Sequence, residues 1–133
     1  MDILRTRNSV SSLYVHLVFV TKYRKAVFGD DSLTTAKKVF ESVCSEAQAT
    51  LVEFNGEDNH VHLLVKYPPK LSIGDLVQKL KRKSSLMIRK RHHSLRKAYR
   101  SNVLWSPSYF ASSCGGAPID IIRQYIENQA RPL

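Results

Sequence analysis

Residues 56–65 have the sequence Gly-Glu-Asp-Asn-His-Val-His-Leu-Leu-Val, a turn followed by an apolar run. Such a run predicts a β-strand. Because alternate side chains of a strand point to the same side, His60 and His62 share one face, while Val61, Leu63 and Val65 share the core face. By itself a pair of this kind is usually two polar side chains on a solvated face. The alternative is a pair of metal ligands.

The sequence on both sides of this strand predicts a single α+β domain over residues 13–133, preceded by a flexible N-terminal arm over residues 1–12. Further strands are expected at 13–22, 50–55 and 109–114. Helices are expected at 33–49 and at 119–130, and a third helix is expected to begin after a cap at Ser72. The first six elements follow the order of a ferredoxin-like split βαβ sandwich, an antiparallel sheet with two helices on one face. The histidine pair should then lie on the open face, where His16 of the first strand could lie beside it.

The chain has a net charge of +10, and its excess of basic residues is concentrated in one segment. No acidic residue occurs between Asp75 and Asp120, and the remaining basic and acidic residues balance one another. Such a surplus implies an anionic partner, most often nucleic acid, although a solvated helix face is the alternative. The residues predicted to contact DNA are Arg24, Lys79, Lys81, Arg82, Lys83, Ser84, Arg89 and Lys90. Ser84 also lies in the packing stripe of its helix, so its hydroxyl could instead permit close packing.

The sequence contains no apolar stretch long enough to span a bilayer and no signal-peptide pattern at its start, which predicts a cytoplasmic protein with no membrane partner. Cys44 and Cys114 lack metal-type spacing and are expected to be reduced.

Near the C-terminus, Tyr125 and Gln129 are four residues apart and share one face of the last predicted helix. A tyrosine in this setting is more often a packing residue. Combined with the two histidines, however, the amide oxygen of Gln129 could supply a third ligand to a divalent cation and leave positions open for a phosphate. Tyr125 would then face the bound phosphate as a nucleophile. The basic helix that begins after Ser72 would lie beside this site and hold the DNA strand.

These motifs resemble one family along nearly the whole chain. His60-Val61-His62 looks like the HUH motif (histidine, bulky hydrophobic, histidine), and the segment 124–129 after Gly115-Gly116-Ala117-Pro118 resembles the catalytic helix of single-tyrosine HUH transposases. These are the TnpA-type enzymes of small prokaryotic insertion sequences. The segments 21–24, 80–85 and 104–105 are also similar. The sequence departs from the family at Asn59, where Asp is common, and at Lys83, where Gly is common.

The resemblance implies a metal-dependent transposase that cuts and rejoins single-stranded DNA at insertion-sequence ends, near which it recognises hairpins. Tyr125 would form a 5′-phosphotyrosine, and His60, His62 and Gln129 would bind Mg²⁺ or Mn²⁺. Two imidazoles suit manganese or zinc better than magnesium. Family members are homodimers in which the tyrosine helix can complete the partner's site. The alternatives are a domesticated HUH nuclease acting on palindromic repeats, or a non-catalytic nucleic-acid-binding ferredoxin-like module.

Overall fold

The computed structural model describes residues 4–5, 10–11, 13–99, 101–113 and 125–128. In chain order its elements are β1 (Leu4–Arg5), β2 (Val10–Ser11), β3 (Tyr14–Val20), α1 (Asp30–Glu46), β4 (Thr50–Gly56), β5 (His60–Lys66), α2 (Ile73–Arg91), α3 (His93–Ala98) and β6 (Phe110–Ser113). Residues 125–128 are helical.

β1 and β2 pair antiparallel. The rest of the predicted N-terminal arm lies outside the described residues, and its flexibility stays a prediction.

The main sheet has four strands in the order β4-β5-β3-β6, and every neighbouring pair is antiparallel. β3 and β4, joined through α1, therefore run parallel with β5 between them. β5 and β6 run parallel in the same way, with β3 between them. This topology confirms the predicted ferredoxin-like split βαβ sandwich.

α1 and α2 pack on one face of the sheet, where alternate residues of the two central strands are apolar. Leu17 of β3 and Leu63 of β5 are fully buried, together with Phe40 of α1 and Leu80 of α2. Val61, Leu63 and Val65 lie in this core, as predicted, so the alternation along β5 turns His60 and His62 to the opposite face.

Helix boundaries follow local capping. The Ser72 hydroxyl accepts a hydrogen bond from the Asp75 backbone N–H at 3.1 Å, which confirms the predicted start of α2. α1 ends at Glu46, earlier than the predicted residue 49, and Gln48 then adopts a positive φ of 60°. The six-residue α3 was not predicted. It begins after His92 leaves the helical conformation, and it buries Leu95.

The segment after α3 is anchored by Trp105. Its indole N–H donates to the Ser84 hydroxyl at 2.9 Å, and its ring lies 5.7 Å from that of Phe19 and 5.4 Å from that of Phe28. Trp105 also forms an isolated β-bridge with Thr21 at the end of β3. The connection that leads to β6 is therefore fixed between α2 and the sheet.

Cys44 is buried and forms no disulfide, and burial raises the pKa of its thiol to about 12. A thiol in this state is a small apolar side chain, as expected for a reduced cysteine. Cys114 lies outside the described residues.

None of the helices that the structure describes combines the length and the apolar character needed to cross a membrane.

Candidate active site

The sheet face opposite α1 and α2 carries three histidines whose rings are close together. His16 and His62 stack with ring centroids 5.6 Å apart and 26° between the planes. His60 and His62 meet edge to face, with centroids 4.9 Å apart and planes at 80°. The predicted position of the pair on this face, with His16 beside it, is confirmed.

The ring of His60 is oriented by its neighbour in the chain. Its Nδ1 lies 2.7 Å from the Asn59 side-chain oxygen. Because that oxygen can only accept, Nδ1 carries the hydrogen and Nε2 keeps its lone pair. A metal-binding histidine usually donates its second ring N–H in this way. Here the acceptor is the Asn59 side-chain oxygen, at the position where the resembled family commonly has Asp.

Burial keeps these imidazoles neutral. It lowers the pKa of His62 to about 4, with further contributions from His60 and His16, and it lowers the pKa of His60 despite the nearby Glu57 carboxylate. Burial lowers the pKa of His16 as well. Neutral imidazole is the form that binds a metal ion, so the protonation state suits a ligand pair.

The turn before His60 is fixed by the end of β3. The Thr21 backbone N–H donates to the Asn59 carbonyl at 3.0 Å. The Thr21 hydroxyl donates to the Lys25 carbonyl at 2.7 Å and lies 3.1 Å from the Asn59 carbonyl. The next residues, Tyr23 and Arg24, have positive φ values of 60° and 53°. Two left-handed non-glycine residues in succession are strained, and such strain occurs more often near functional sites.

A second possible metal ligand lies beside His60 Nε2. The Glu57 carboxylate oxygen lies 3.5 Å from this nitrogen. Both atoms present lone pairs when the ring is neutral, and two ligands of one divalent cation are about 3–3.5 Å apart, given bonds of about 2.1 Å. Glu57 was not singled out in the sequence, and its only signal there is its place in the turn before the histidines. A cation bound at His60 Nε2 would therefore have the Glu57 carboxylate within reach.

The predicted third ligand, Gln129, lies outside the described residues, and its role stays a prediction. Within the part of the chain that the structure describes, no cluster of three or more His, Cys, Asp or Glu side chains is placed to hold a metal ion.

Tyr125 lies at the β6 side of the same face. Its ring is 5.9 Å from that of Phe110, and its hydroxyl is 2.9 Å from the Ser108 hydroxyl. Burial raises the pKa of the Tyr125 phenol, against a smaller opposite effect of the hydrogen bond with Ser108. The phenol therefore holds its proton in this position.

The strand register separates Tyr125 from the histidine pair. Val18 lies directly opposite His62 on one side and Phe110 on the other. With strands about 4.8 Å apart, His62 and Phe110 are roughly 10 Å apart across the sheet. Phe110 thus lies on the same sheet face as His62 and two strands away from it. The Tyr125 ring, which packs on Phe110, shares this position.

The basic face of α2 does not lie beside the histidines, and this part of the sequence interpretation was wrong. α2 packs on the other face of the sheet, so its exposed residues Lys79, Arg82 and Lys83 point away from the site. These three line a groove of about 390 Å³ with Leu86 and with Glu46 at the end of α1. Lys83 and Glu46 form an exposed ion pair at 3.7 Å.

Three other residues predicted to contact DNA have partners inside the protein. Ser84 is fully buried, and its hydroxyl lies between the Trp105 indole and the Lys81 carbonyl. The Lys81 ammonium donates to two backbone carbonyls, and Arg89 donates to the Val103 carbonyl at 2.9 Å. The buried position of Ser84 favours the packing role over a phosphate contact. Lys90 is exposed, and Arg24 lies half-buried in the strained turn.

Comparison with solved structures places this fold among the transposases. A crystal structure of a candidate transposase from Deinococcus radiodurans R1 matches with a TM-score of 0.85 and 29% identity, covering 97% of this chain and 99% of the other. A REP-associated tyrosine transposase bound to a REP hairpin shares the fold alone. Its TM-score is 0.56 and its identity 9%, over 96% of this chain and 69% of the other.

Sequence comparison then identifies the family. The family model described as "Transposase IS200 like" matches residues 9–129, so this chain belongs to the IS200-like transposases. The transposase for insertion sequence element IS200 of Salmonella typhimurium is 29% identical over 114 residues, which cover 86% of this chain and 74% of the relative. The ISDra2 transposase TnpA of Deinococcus radiodurans is 26% identical over 129 residues, which cover 97% and 92%.

Proposed function

We propose that this IS200-like transposase cuts and rejoins single-stranded DNA at insertion-sequence ends, through a 5′-phosphotyrosine on Tyr125 and with a divalent cation held at His60 and His62. The observation that supports this most strongly is the contact between two neutral imidazoles on the sheet face that also carries Tyr125.

The histidines would hold the cation, and the surrounding residues orient the two rings. Asn59 fixes the His60 tautomer, and His16 stacks on His62 and limits its rotation. Gln129 and Glu57 are the candidates for oxygen ligands, which Mg²⁺ and Mn²⁺ favour. A bound cation would polarise the scissile phosphate and neutralise the charge that develops on it.

Tyr125 would supply the nucleophile. Its oxygen bonds to the phosphorus, the bond from phosphorus to the 3′ oxygen breaks, and the proton lost by the phenol is balanced by the one gained at the released 3′ hydroxyl. The free energy of the broken phosphodiester is kept in the phosphotyrosine, so a second 3′ hydroxyl can rejoin the strand. The Tyr125 phenol must lose its proton in this step, because burial beside Ser108 favours its protonated form.

The separation of Tyr125 from the histidines within one chain supports a homodimer that exchanges its tyrosine helices. A phenol two strands away must either attack a phosphate that spans the gap to its own histidines or be delivered to the histidines of a second copy. Excision needs two cuts and each tyrosine makes one covalent bond, so two copies match the reaction.

The basic surface of α2 suits a duplex stem better than the scissile strand. Lys79, Arg82 and Lys83 lie on the helix layer, and such side chains bind phosphates without reading sequence. A hairpin stem held there would leave its single-stranded flank to pass round the sheet edge to the histidines. A partner of this kind is supported by the transposase of similar fold that was solved bound to a REP hairpin.

The covalent bond provides the test of the proposal. Purified protein is incubated with 5′-labelled and 3′-labelled single-stranded DNA carrying an element end, with Mn²⁺, and then run on a denaturing gel. We expect wild type to become linked to the 5′ phosphate of the fragment on the 3′ side of the cut, so that the adduct carries the 3′ label and not the 5′ label. We expect Tyr125→Phe to form no adduct while it binds the same DNA with unchanged affinity.

The half-buried Tyr67 offers a matched control, since Tyr67→Phe also removes one phenol oxygen and should still form the adduct. An adduct in Tyr125→Phe would exclude this nucleophile. Absence of any adduct in wild type, with DNA bound, would favour the non-catalytic binding module.

A further inference from the structure

Lys81 is a basic residue of α2 whose charged group is used inside the protein. Its ammonium donates to the backbone carbonyls of Ser106 and Ser108, each at 2.7 Å. It also lies 5.5 Å from the centre of the Phe19 ring and 5.6 Å from that of Tyr109. Burial lowers the pKa of this amine to about 8, as expected for a cation partly withdrawn from water.

The two carbonyls belong to a segment that connects the two halves of the candidate active site. At one end, the Ser106 N–H donates to the Val20 carbonyl at 2.7 Å, and Val20 is paired with His60 across the strands. At the other end, the Ser108 hydroxyl lies 2.9 Å from the Tyr125 hydroxyl. Residues 106–108 thus run from the strand beside the histidine pair to the phenol.

We propose that Lys81 is a positioning residue for the cleavage reaction, holding residues 106–108 so that Ser108 sets the place of the Tyr125 hydroxyl. This inference rests on the proposed role of Tyr125 as nucleophile. It assigns to Lys81 a role different from the phosphate contact that the charge pattern of α2 predicts.

A charged donor is well suited to this task. Hydrogen bonds from an ammonium are roughly twice as strong as neutral ones, and one lysine satisfies two carbonyls that are two residues apart. Its removal would leave both acceptors without this donor and would free the backbone of Ser108 to shift. A displacement of about 1 Å at a reacting group can cost about 100-fold in rate.

The test separates the rate of the chemical step from DNA affinity. Wild type, Lys81→Met and Lys81→Arg are compared for the rate of adduct formation at saturating single-stranded DNA, and for the dissociation constant measured by fluorescence anisotropy at several salt concentrations. We expect Lys81→Met to be slower by about 10- to 100-fold, with a dissociation constant and salt dependence close to wild type. Lys81→Arg, which can still reach both carbonyls, should recover part of the rate.

Lys37→Met is the matched control, since Lys37 is exposed on α1 and its loss removes the same charge. Its rate should equal that of wild type. If Lys81→Met instead weakens DNA binding with a shallower salt dependence and keeps its rate at saturation, Lys81 is a phosphate contact and the inference is wrong.

Ser108→Ala tests the contact between Ser108 and the Tyr125 hydroxyl. It also provides the test if circular dichroism shows that Lys81→Met fails to fold. It keeps the lysine and its carbonyl contacts but removes the hydroxyl, and it should slow the same step without weakening DNA binding. A wild-type rate in Ser108→Ala would overturn the proposed connection. Absence of the adduct in wild type would reject the proposed function itself, which distinguishes the two failures.

Discussion

A single hydrogen bond at His60 determines which ring nitrogen is available to a cation. The Asn59 side-chain oxygen accepts the hydrogen bond of Nδ1, so Nε2 keeps its lone pair and lies 3.5 Å from the Glu57 carboxylate. An aspartate in place of Asn59 would make the same contact with a negative charge and would raise ligand basicity further. The neutral amide therefore keeps the geometry while adding less charge to the site.

The lowered pKa values of the site histidines predict an unusual pH dependence of metal affinity. Protons compete with a metal for imidazole, and an ordinary imidazole, with a pKa of about 6.5, would begin to lose affinity just below pH 7. Because the His62 pKa is lowered to about 4, its lone pair is already free well below that pH. We expect Mn²⁺ affinity, measured by electron paramagnetic resonance, to change less than threefold between pH 7.5 and 6.

His62→Ala should bind Mn²⁺ at least tenfold more weakly throughout this range. A loss of about tenfold or more in wild type between pH 7 and 6 would show that the imidazoles titrate normally. Unchanged binding in His62→Ala would remove this residue from the ligand set.

At the scale of one element, α2 combines a packing face with a basic face. Leu76, Leu80, Ser84 and Ile88 are buried against the core at helical spacing. The small Ser84 side chain leaves room for the Trp105 ring and accepts the hydrogen bond of its indole N–H.

Ser84→Ala tests whether this hydroxyl serves packing or DNA. The substitution leaves the Trp105 N–H without its acceptor, so the free energy of unfolding, measured by urea denaturation, should fall by about 1–3 kcal/mol. The affinity for single-stranded DNA should not change. Ser85→Ala, at the less buried neighbouring position, should cost under about 0.5 kcal/mol. Weaker DNA binding with unchanged stability would restore the phosphate-contact interpretation.

The sequence predicted most elements because their signals are local. The alternation along residues 60–65 and the cap at Ser72 each depend on neighbouring residues only. The side of the molecule that the α2 charges face depends on tertiary packing, and for this reason the basic helix was wrongly expected beside the histidines. The hydrogen bonds from Lys81 to backbone carbonyls were not predicted for the same reason. A count of charges does not distinguish an exposed lysine from one bound to carbonyls.

At the scale of the whole molecule, the sheet separates two surfaces of different chemistry. Neutral imidazoles and the Tyr125 phenol lie on one face, whereas the exposed charges of α2 lie beyond the helices on the other. DNA that uses both surfaces must pass round an edge of the domain.

Salt dependence measures how far the helix layer contributes to DNA binding. If Lys79 and Arg82 each contact a duplex phosphate, their double substitution by Gln should make the slope of log affinity against log salt shallower by about 1.8. The exposed pair Lys37 and Lys38 on α1 provides a charge-matched control, whose substitution should leave the slope nearly unchanged. Equal effects of the two pairs would indicate a general charge effect instead of a binding surface.

Exchange of tyrosine helices between copies predicts complementation. His62→Ala and Tyr125→Phe should each be inactive alone. If the tyrosine acts on the partner's histidines, a mixed dimer keeps one intact site, and co-refolded subunits should regain up to about half of the wild-type adduct per mixed dimer. In the mixed dimer the adduct would be on the His62→Ala subunit, which carries the tyrosine. Absence of any adduct from the mixed dimer would show action within one chain, because neither of its subunits carries both residues.

The opposed placement of charge and imidazoles also constrains the substrate. If α2 binds a stem while the single-stranded flank of the stem reaches the histidines, the nucleotides between the two must be long enough to follow the path round the sheet edge. An end in which the stem directly abuts the scissile bond would be too short to engage both surfaces. Selection of the cutting point would then depend on spacing as well as on base identity.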